Sequence, residues 1–145
     1  MTTNHATSGP GRSRRLFDHL DLRVGNRPEA EAFYDLVLPA LGFPHKGAAP
    51  HGVYYEAASD HPKPEFVALI EEPGYVADST RIAFWCETKE GVDAFAAVLA
   101  SAGARHVEGP EFCPEYSSTY YAVFFEDPSG NRLELACRVA PAAGS

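Results

Sequence analysis

An internal repeat constrains this chain more than any other feature. His19 and Arg81 stand 62 residues apart, and Ala32-Phe33 precedes Ala94-Phe95 by the same 62. The glycines at the ends of the two helical patterns, Gly42 and Gly103, differ by 61. Each half reads strand, helix, then about three strands. With 145 residues and 45% hydrophobic content, the chain can bury one core, or two half-cores that share a sheet.

The first strand pattern runs from Leu16 to Val24. Leu20, Leu22 and Val24 share the core-facing phase, which leaves His19, Asp21 and Arg23 in a row on the other face. Asn26 is a good N-cap, with Pro28 in the first turn and Glu29 and Glu31 near the helix start. Ala30, Phe33, Tyr34, Val37 and Leu41 recur at helical spacing, and Gly42 follows the helix. Pro39 lies inside this run and is expected to kink the last turn. Phe43 to Gly52 gives a weak signal, Val53 to Ala57 a short strand, and Phe66 to Ile70 another. The pattern restarts at Thr80 to Cys86, with Ile82, Phe84 and Cys86 opposite Arg81, Ala83 and Trp85. Thr88 is the second N-cap, and Val92, Phe95, Ala96 and Leu99 form the second apolar stripe, ended by Gly103. Val107 marks a short strand, and Gly109 to Ser118 reads as a loop.

The last hairpin carries the clearest local signal. Tyr120 to Glu126 is aromatic and β-branched except at Ala122 and Glu126. Asp127-Pro128-Ser129-Gly130 places each residue where a type I turn favours it, and Gly130 can take positive φ. In the return strand Leu133 and Leu135 point one way; Arg132, Glu134 and Ala136 point the other. Glu134 therefore faces away from the leucines.

Composition excludes several classes. A net charge of −8, with no cluster of Lys or Arg in the body, argues against nucleic acid. No apolar run approaches the ~20 residues that span a membrane. Cys86, Cys113 and Cys137 make no metal-type spacing, and Cys86 and Cys137, inside apparent strands, read as small buried hydrophobes. The odd count and the absence of a leader pattern point to a reduced, cytoplasmic protein. Residues 1–15 and 140–145 read as polar tails, with Arg12, Arg14 and Arg15 solvated and His5 without a role.

Several pieces, in order, resemble the vicinal oxygen chelate superfamily of glyoxalases, bleomycin-resistance proteins and extradiol dioxygenases. They begin with Asp18-His19-Leu20-Asp21-Leu22-Arg23-Val24, then Ala32-Phe33-Tyr34 with Leu38-Pro39-Ala40-Leu41-Gly42. Arg81-Ile82-Ala83-Phe84 and Val92-Asp93-Ala94-Phe95 follow. The strongest is Tyr120-Tyr121-Ala122-Val123-Phe124 with Asp127-Pro128-Ser129-Gly130-Asn131 and Leu133-Glu134. The resemblance covers about Leu16 to Arg138. It implies an α+β fold in which two βαβββ units (about 16–75 and 80–139) form an open, curved, eight-stranded mixed sheet with a cleft. One helix packs behind each half. It also implies a homodimer, since members often build one cleft from two chains.

In metal-using members the ligands come from the first and last strands of each unit. Carried over, those positions are His19, Ala68, Arg81 and Glu134, with Glu71 replacing Ala68 if the register shifts. A divalent metal of this kind wants three or four N or O ligands. Ala68 supplies none, and Arg81 has no lone pair to give and adds a positive charge. Only His19 and Glu134 remain, so no cofactor is expected, with nickel, zinc, manganese or iron the alternative. Arg81 is expected instead to pair with Glu134 or with an anionic ligand.

Three readings of function follow. The first is a metal-free protein that binds a small, anionic organic molecule in an aromatic cleft. Arg81, Trp85, Tyr116, Tyr120, Tyr121, Asp21 and Arg23 would contact the ligand. The second is a metal-dependent lyase, isomerase or dioxygenase acting on vicinal oxygens. The third is acid–base catalysis by His19 and Glu134 without metal. The plain alternatives are a hydrogen-bonded cleft histidine, core or lid aromatics, and an Asp21–Arg23 surface pair.

Overall fold

The computed structural model describes residues 15–140. The element order is β1 (His19–Val24), α1 (Arg27–Ala40), β2 (His45–Ala49), β3 (Gly52–Glu56) and β4 (Phe66–Glu71), then β5 (Arg81–Trp85), α2 (Lys89–Ala102), β6 (Arg105–Phe112), β7 (Tyr120–Glu126) and β8 (Arg132–Arg138). The two halves thus share one βαβββ order. The eight strands form two four-stranded sheets, β1-β4-β3-β2 and β5-β8-β7-β6. In each, the outer strand before the helix pairs in parallel with the last strand of the unit, and the other pairs are antiparallel.

Both helices begin where their caps dictate. Asn26 Oδ1 accepts from Glu29 N at 2.9 Å, and Thr88 Oγ1 accepts from Gly91 N at 2.9 Å. Gly103 takes φ 73°, as a left-handed C-cap requires. The first helix runs through Pro39 to Ala40 before Phe43 N bonds back to the Leu38 carbonyl at 2.9 Å. Two weak stretches of sequence turned out to be strands. β2 falls in the Phe43–Gly52 region, and β6 extends to Phe112 across the segment read as loop. Both pair antiparallel with an inner strand, and β6 does so with register shifts that break its alternation.

The helices cover one face of each sheet. Val67 and Leu133 are fully buried there, as are Leu69, Tyr34, Val92 and Leu99. The halves meet through their helices and through Phe125 of β7, whose ring lies 6.3 Å from Phe33 of α1 and 5.5 Å from Phe95 of α2. A polar network crosses the same seam. Asp127, with no exposed surface, accepts from Tyr34 OH at 2.6 Å, Ser129 N at 2.8 Å, and both Asn131 N and Asn131 Nδ2 at 2.9 Å. Asn131 Nδ2 also donates to the Arg23 carbonyl at 2.9 Å, and Ser129 Oγ accepts from Gly25 N at 2.9 Å. The turn foreseen in the hairpin is present: Gly130, at φ 88°, donates its N–H to the Asp127 carbonyl at 3.0 Å. Its aspartate, however, does more than shape the turn, since it ties the second unit to α1.

The tails at 1–14 and 141–145 lie outside the described residues. Arg15 is described and is not solvated as expected. It donates to Asp18 at 2.6 Å and to the Lys63 carbonyl.

Candidate functional site

The face of each sheet turned away from its helix is open, and strand alternation sets what stands on it. On the first sheet the in-register sets are His19 with Phe66, then Asp21 with Ala68 and Tyr54, then Arg23 with Ile70. On the second they are Arg81 with Arg132 and Glu126, then Ala83 with Glu134 and Phe124, then Trp85 with Ala136 and Ala122. The register therefore puts Ala68, not Glu71, beside Asp21. Glu71 lies in the other phase, and its carboxylate accepts from Arg27 N at 2.8 Å.

His19 is fully engaged within its own half. Its Nδ1 lies 2.8 Å from Asp18 Oδ2, its Nε2 3.6 Å from Asp21 Oδ1, and its ring stacks on Phe66 at 4.7 Å. The hydrogen bond from His19, more than the charge of Arg15, holds the Asp18 carboxyl below its usual range. Arg23 pairs with Glu72 at 3.4 Å rather than with Asp21.

Glu134 is only 3% exposed. A buried carboxylate needs a donor, and the donor here is Tyr120 OH, bonded to Oε2. Burial first, then the Glu134 carboxylate, pushes the Tyr120 phenol well above its usual range, so it stays a donor. The Tyr120 ring carries Tyr116 edge-on at 5.2 Å and the Arg138 guanidinium at 4.7 Å. Arg81 does not pair with Glu134. It is exposed, one rung from Glu134, with its guanidinium laid over Phe124 at 4.9 Å. Tyr121 is not on the open face at all. It is 6% exposed on the helix side and donates to Asp93 at 2.6 Å. Trp85 stays on the open face, 57% exposed, with Nε1 donating to Glu87 at 2.6 Å.

The expected residues thus fall into separate groups. Tyr116, Tyr120 and Glu134 come together, as do His19 and Asp21. Asp21 and Arg23 line a cavity of about 200 Å3 between β1 and β8, with Asp78, Thr80, Asn131 and Arg132. Among the described residues no hydrogen bond or ion pair joins His19 to Glu134 or to Arg81. A further cavity of about 470 Å3 lies on the helix side, against Phe33, Leu36, Arg105 and Pro128, and holds none of the expected residues.

Comparison with known proteins settles the family. The model of the Glyoxalase/Bleomycin resistance protein/Dioxygenase superfamily matches residues 16–135. The chain belongs to this superfamily. Solved structures share the fold. A glyoxalase/bleomycin resistance protein from Albidiferax ferrireducens T118 superposes with TM-score 0.66 at 22% identity, covering 85% of this chain and 98% of that one. A genomically encoded fosfomycin resistance protein from Listeria monocytogenes gives TM-score 0.65 at 15% identity, covering 88% and 96%. Lactoylglutathione lyase from Agrobacterium tumefaciens gives 0.63 at 18%, covering 86% and 94%. No curated protein matches the chain.

The metal expected of some superfamily members does not fit the residues present. No three His, Cys, Asp or Glu side chains converge among the described residues. The four positions carried over for ligands also fail as a set, since alanine and arginine occupy two of them. Two features of the open face escaped the sequence reading. Tyr120 was assigned to a ligand rather than to Glu134, although both stand in the open-face phase of adjacent strands. Arg132 was seen in that phase and given no role.

One expected outcome tests the Tyr120–Glu134 contact. Tyr120→Phe removes the only hydrogen-bond donor to Glu134 among the described residues. It should cost about 1–3 kcal/mol of stability. Urea unfolding of the two proteins measures it, and an unchanged midpoint would show that the contact carries no energy.

Proposed function

We propose that this chain is a metal-independent binder of a small, anionic organic molecule, held against the open aromatic face of the second sheet. The observation that carries this reading is the state of Glu134. The carboxylate that would ligate a metal is buried and already bonded to Tyr120, and its strand neighbours at the open face are Ala83 and Phe124. An internal phenol thus does for Glu134 what a cation would otherwise do. Trp85, Tyr116 and Tyr120 supply flat apolar surface beside it, suited to an organic ligand. Arg81 and Arg132 supply positive charge. A fosfomycin resistance protein and a lactoylglutathione lyase share the fold, and by their names both act on small molecules.

The proposal includes a homodimer in which a second copy closes over the open faces. Trp85 and Tyr116, at 57% and 61% exposure, are poor surface for a monomer. It also places the protein in the cytoplasm, where three free thiols persist. No helix among the described residues is long and apolar enough to cross a membrane.

Purified without a histidine tag, the protein should carry well under one equivalent of nickel, zinc, manganese or iron by elemental mass spectrometry. Light scattering should give twice the 15.7 kDa of one chain. Stoichiometric metal would overturn the metal-free reading, and a monomer at micromolar concentration would remove the second copy from it.

A further inference from the structure

We infer that Arg81 and Arg132 form an oxyanion-binding pair that takes the carboxylate of a small aromatic acid. The inference deepens the proposed binding role and rests on it. Arg81 and Arg132 are register partners on adjacent parallel strands, so both side chains stand on the open face. Like charges placed directly opposite in a sheet are destabilising. An anion shared between them reverses that repulsion.

The chain does not supply that anion itself. Arg15, Arg23, Arg27, Lys46 and Lys89 each hold a carboxylate within 4.0 Å. Among the described residues Arg81 and Arg132 hold none, as is also true of Lys63, Arg105 and Arg138, but only Arg81 and Arg132 are register partners. Glu126, directly across from Arg132, is taken instead by His106 Nδ1 at 2.9 Å. Asp78, which shares the neighbouring cavity with Arg132, accepts from Thr80 N at 2.8 Å. Glu108 and Glu126 also line the Arg81–Arg132 cavity; Glu126 is held by His106 and Glu108 opposes an anion there, so binding depends on both guanidiniums reaching one anion together.

The pair is also pre-set. Arg81 lies over the Phe124 ring at 4.9 Å, which fixes its plane and leaves its edge N–H groups free. The cavity around it, about 110 Å3, has room for a carboxylate head and little else. Farther along the strands, Ala83, Ala136 and Ala122 make a low floor, with Trp85 beside it in register. A flat ring laid on that floor puts its carboxylate toward the arginines. Glu134 lies between, with Oε2 on Tyr120.

Benzoate and benzyl alcohol form a matched pair that separates charge from shape. Trp85 is the chain's one tryptophan, so its fluorescence reports binding to this face. Benzoate should bind the wild-type protein about tenfold more tightly than benzyl alcohol or better. Arg81→Ala and Arg132→Ala should each erase most of that preference, with a loss for benzoate several-fold larger than any loss for benzyl alcohol. Arg27→Ala, at the start of α1, should preserve it. Arg81→Lys keeps the charge without the fork and should retain part of it. Circular dichroism confirms that each variant is folded. Equal affinity for the two ligands, or a preference that survives Arg132→Ala, sinks the oxyanion pair and leaves the open-face site standing. Failure of both ligands to perturb Trp85 in the wild-type protein overturns the pair and counts against the site as well.

Discussion

Replacing Asp127 with alanine should destabilise the protein by about 4 kcal/mol, the largest loss expected from any single side chain here. Four donors converge on this fully buried carboxylate: Tyr34 OH, Ser129 N, Asn131 N and Asn131 Nδ2. Alanine leaves all four unsatisfied in a site with no exposed surface. Burial, with the Asp127 charge next in order, pushes the Tyr34 phenol well above its usual range. Tyr34 is thereby held as a hydrogen-bond donor to Asp127. For a chain of this length the loss corresponds to a melting temperature lower by on the order of 10 °C. Asp127→Asn should cost roughly half as much. It keeps one oxygen for the backbone N–H groups of the turn but turns an amide toward Tyr34 and Asn131. Thermal unfolding followed by circular dichroism measures both. A loss for the alanine variant within the ±0.5 kcal/mol typical of a surface change would show that the network is not what joins the halves.

The same residue shows how far the sequence could be read. Asp127-Pro128-Ser129-Gly130 announces its turn because turn preferences are local, and the turn formed as expected. The contact from Asp127 to Tyr34 spans 93 residues, and no periodicity carries it. Strand phase behaved in the same way. It put Leu133 and Leu135 under the helices and Glu134 on the open face, because side chains alternate whatever lies beyond the strand. Phase also placed Tyr120 and Tyr121 on opposite faces. Reading both as cleft aromatics overlooked that alternation, and Tyr121 proved to be a core residue bonded to Asp93. The Arg81–Glu134 pair failed for a subtler reason. Both residues occupy the open face one rung apart, and Arg81 reaches the rung of Glu134 but lies over Phe124 there, while Glu134 is buried and bonded to Tyr120. Register is a property of the paired strands, and neither strand's sequence states it. The β6 strand marked at Val107 was read as ending before Gly109, because its bulges erase the alternation that would have extended it to Phe112.

If the proposed metal-free state reflects only the two missing ligands, restoring them should create a metal site. Ala68→Glu together with Arg81→His gives the set His19, position 68, position 81 and Glu134. That is two imidazoles and two carboxylates, a set suited to zinc, nickel or manganese. Both substitutions sit on the open faces: Ala68 in register with Asp21, and Arg81 exposed beside Arg132. Arg81→His also removes the charge that repels a cation. Zinc affinity should rise by on the order of a thousandfold or more over wild type, as expected when a two-ligand pair becomes a closed site. Glu134 must give up Tyr120 to take part, so adding Tyr120→Phe should raise the affinity further. Chain origin can be read from the same variants. Among the described residues His19 bonds only within the first half and Glu134 only within the second, so the four ligands can meet between the open faces of two copies. Mixing protein that carries Ala68→Glu with protein that carries Arg81→His then yields one complete site per mixed dimer. If both halves of the site come from one chain, mixing the single variants yields no tight zinc binding, whereas the double variant alone does. Zinc titration by calorimetry distinguishes these results. No gain in the double variant would show that the open faces do not approach each other, and the proposed closure by a second copy would fall with it.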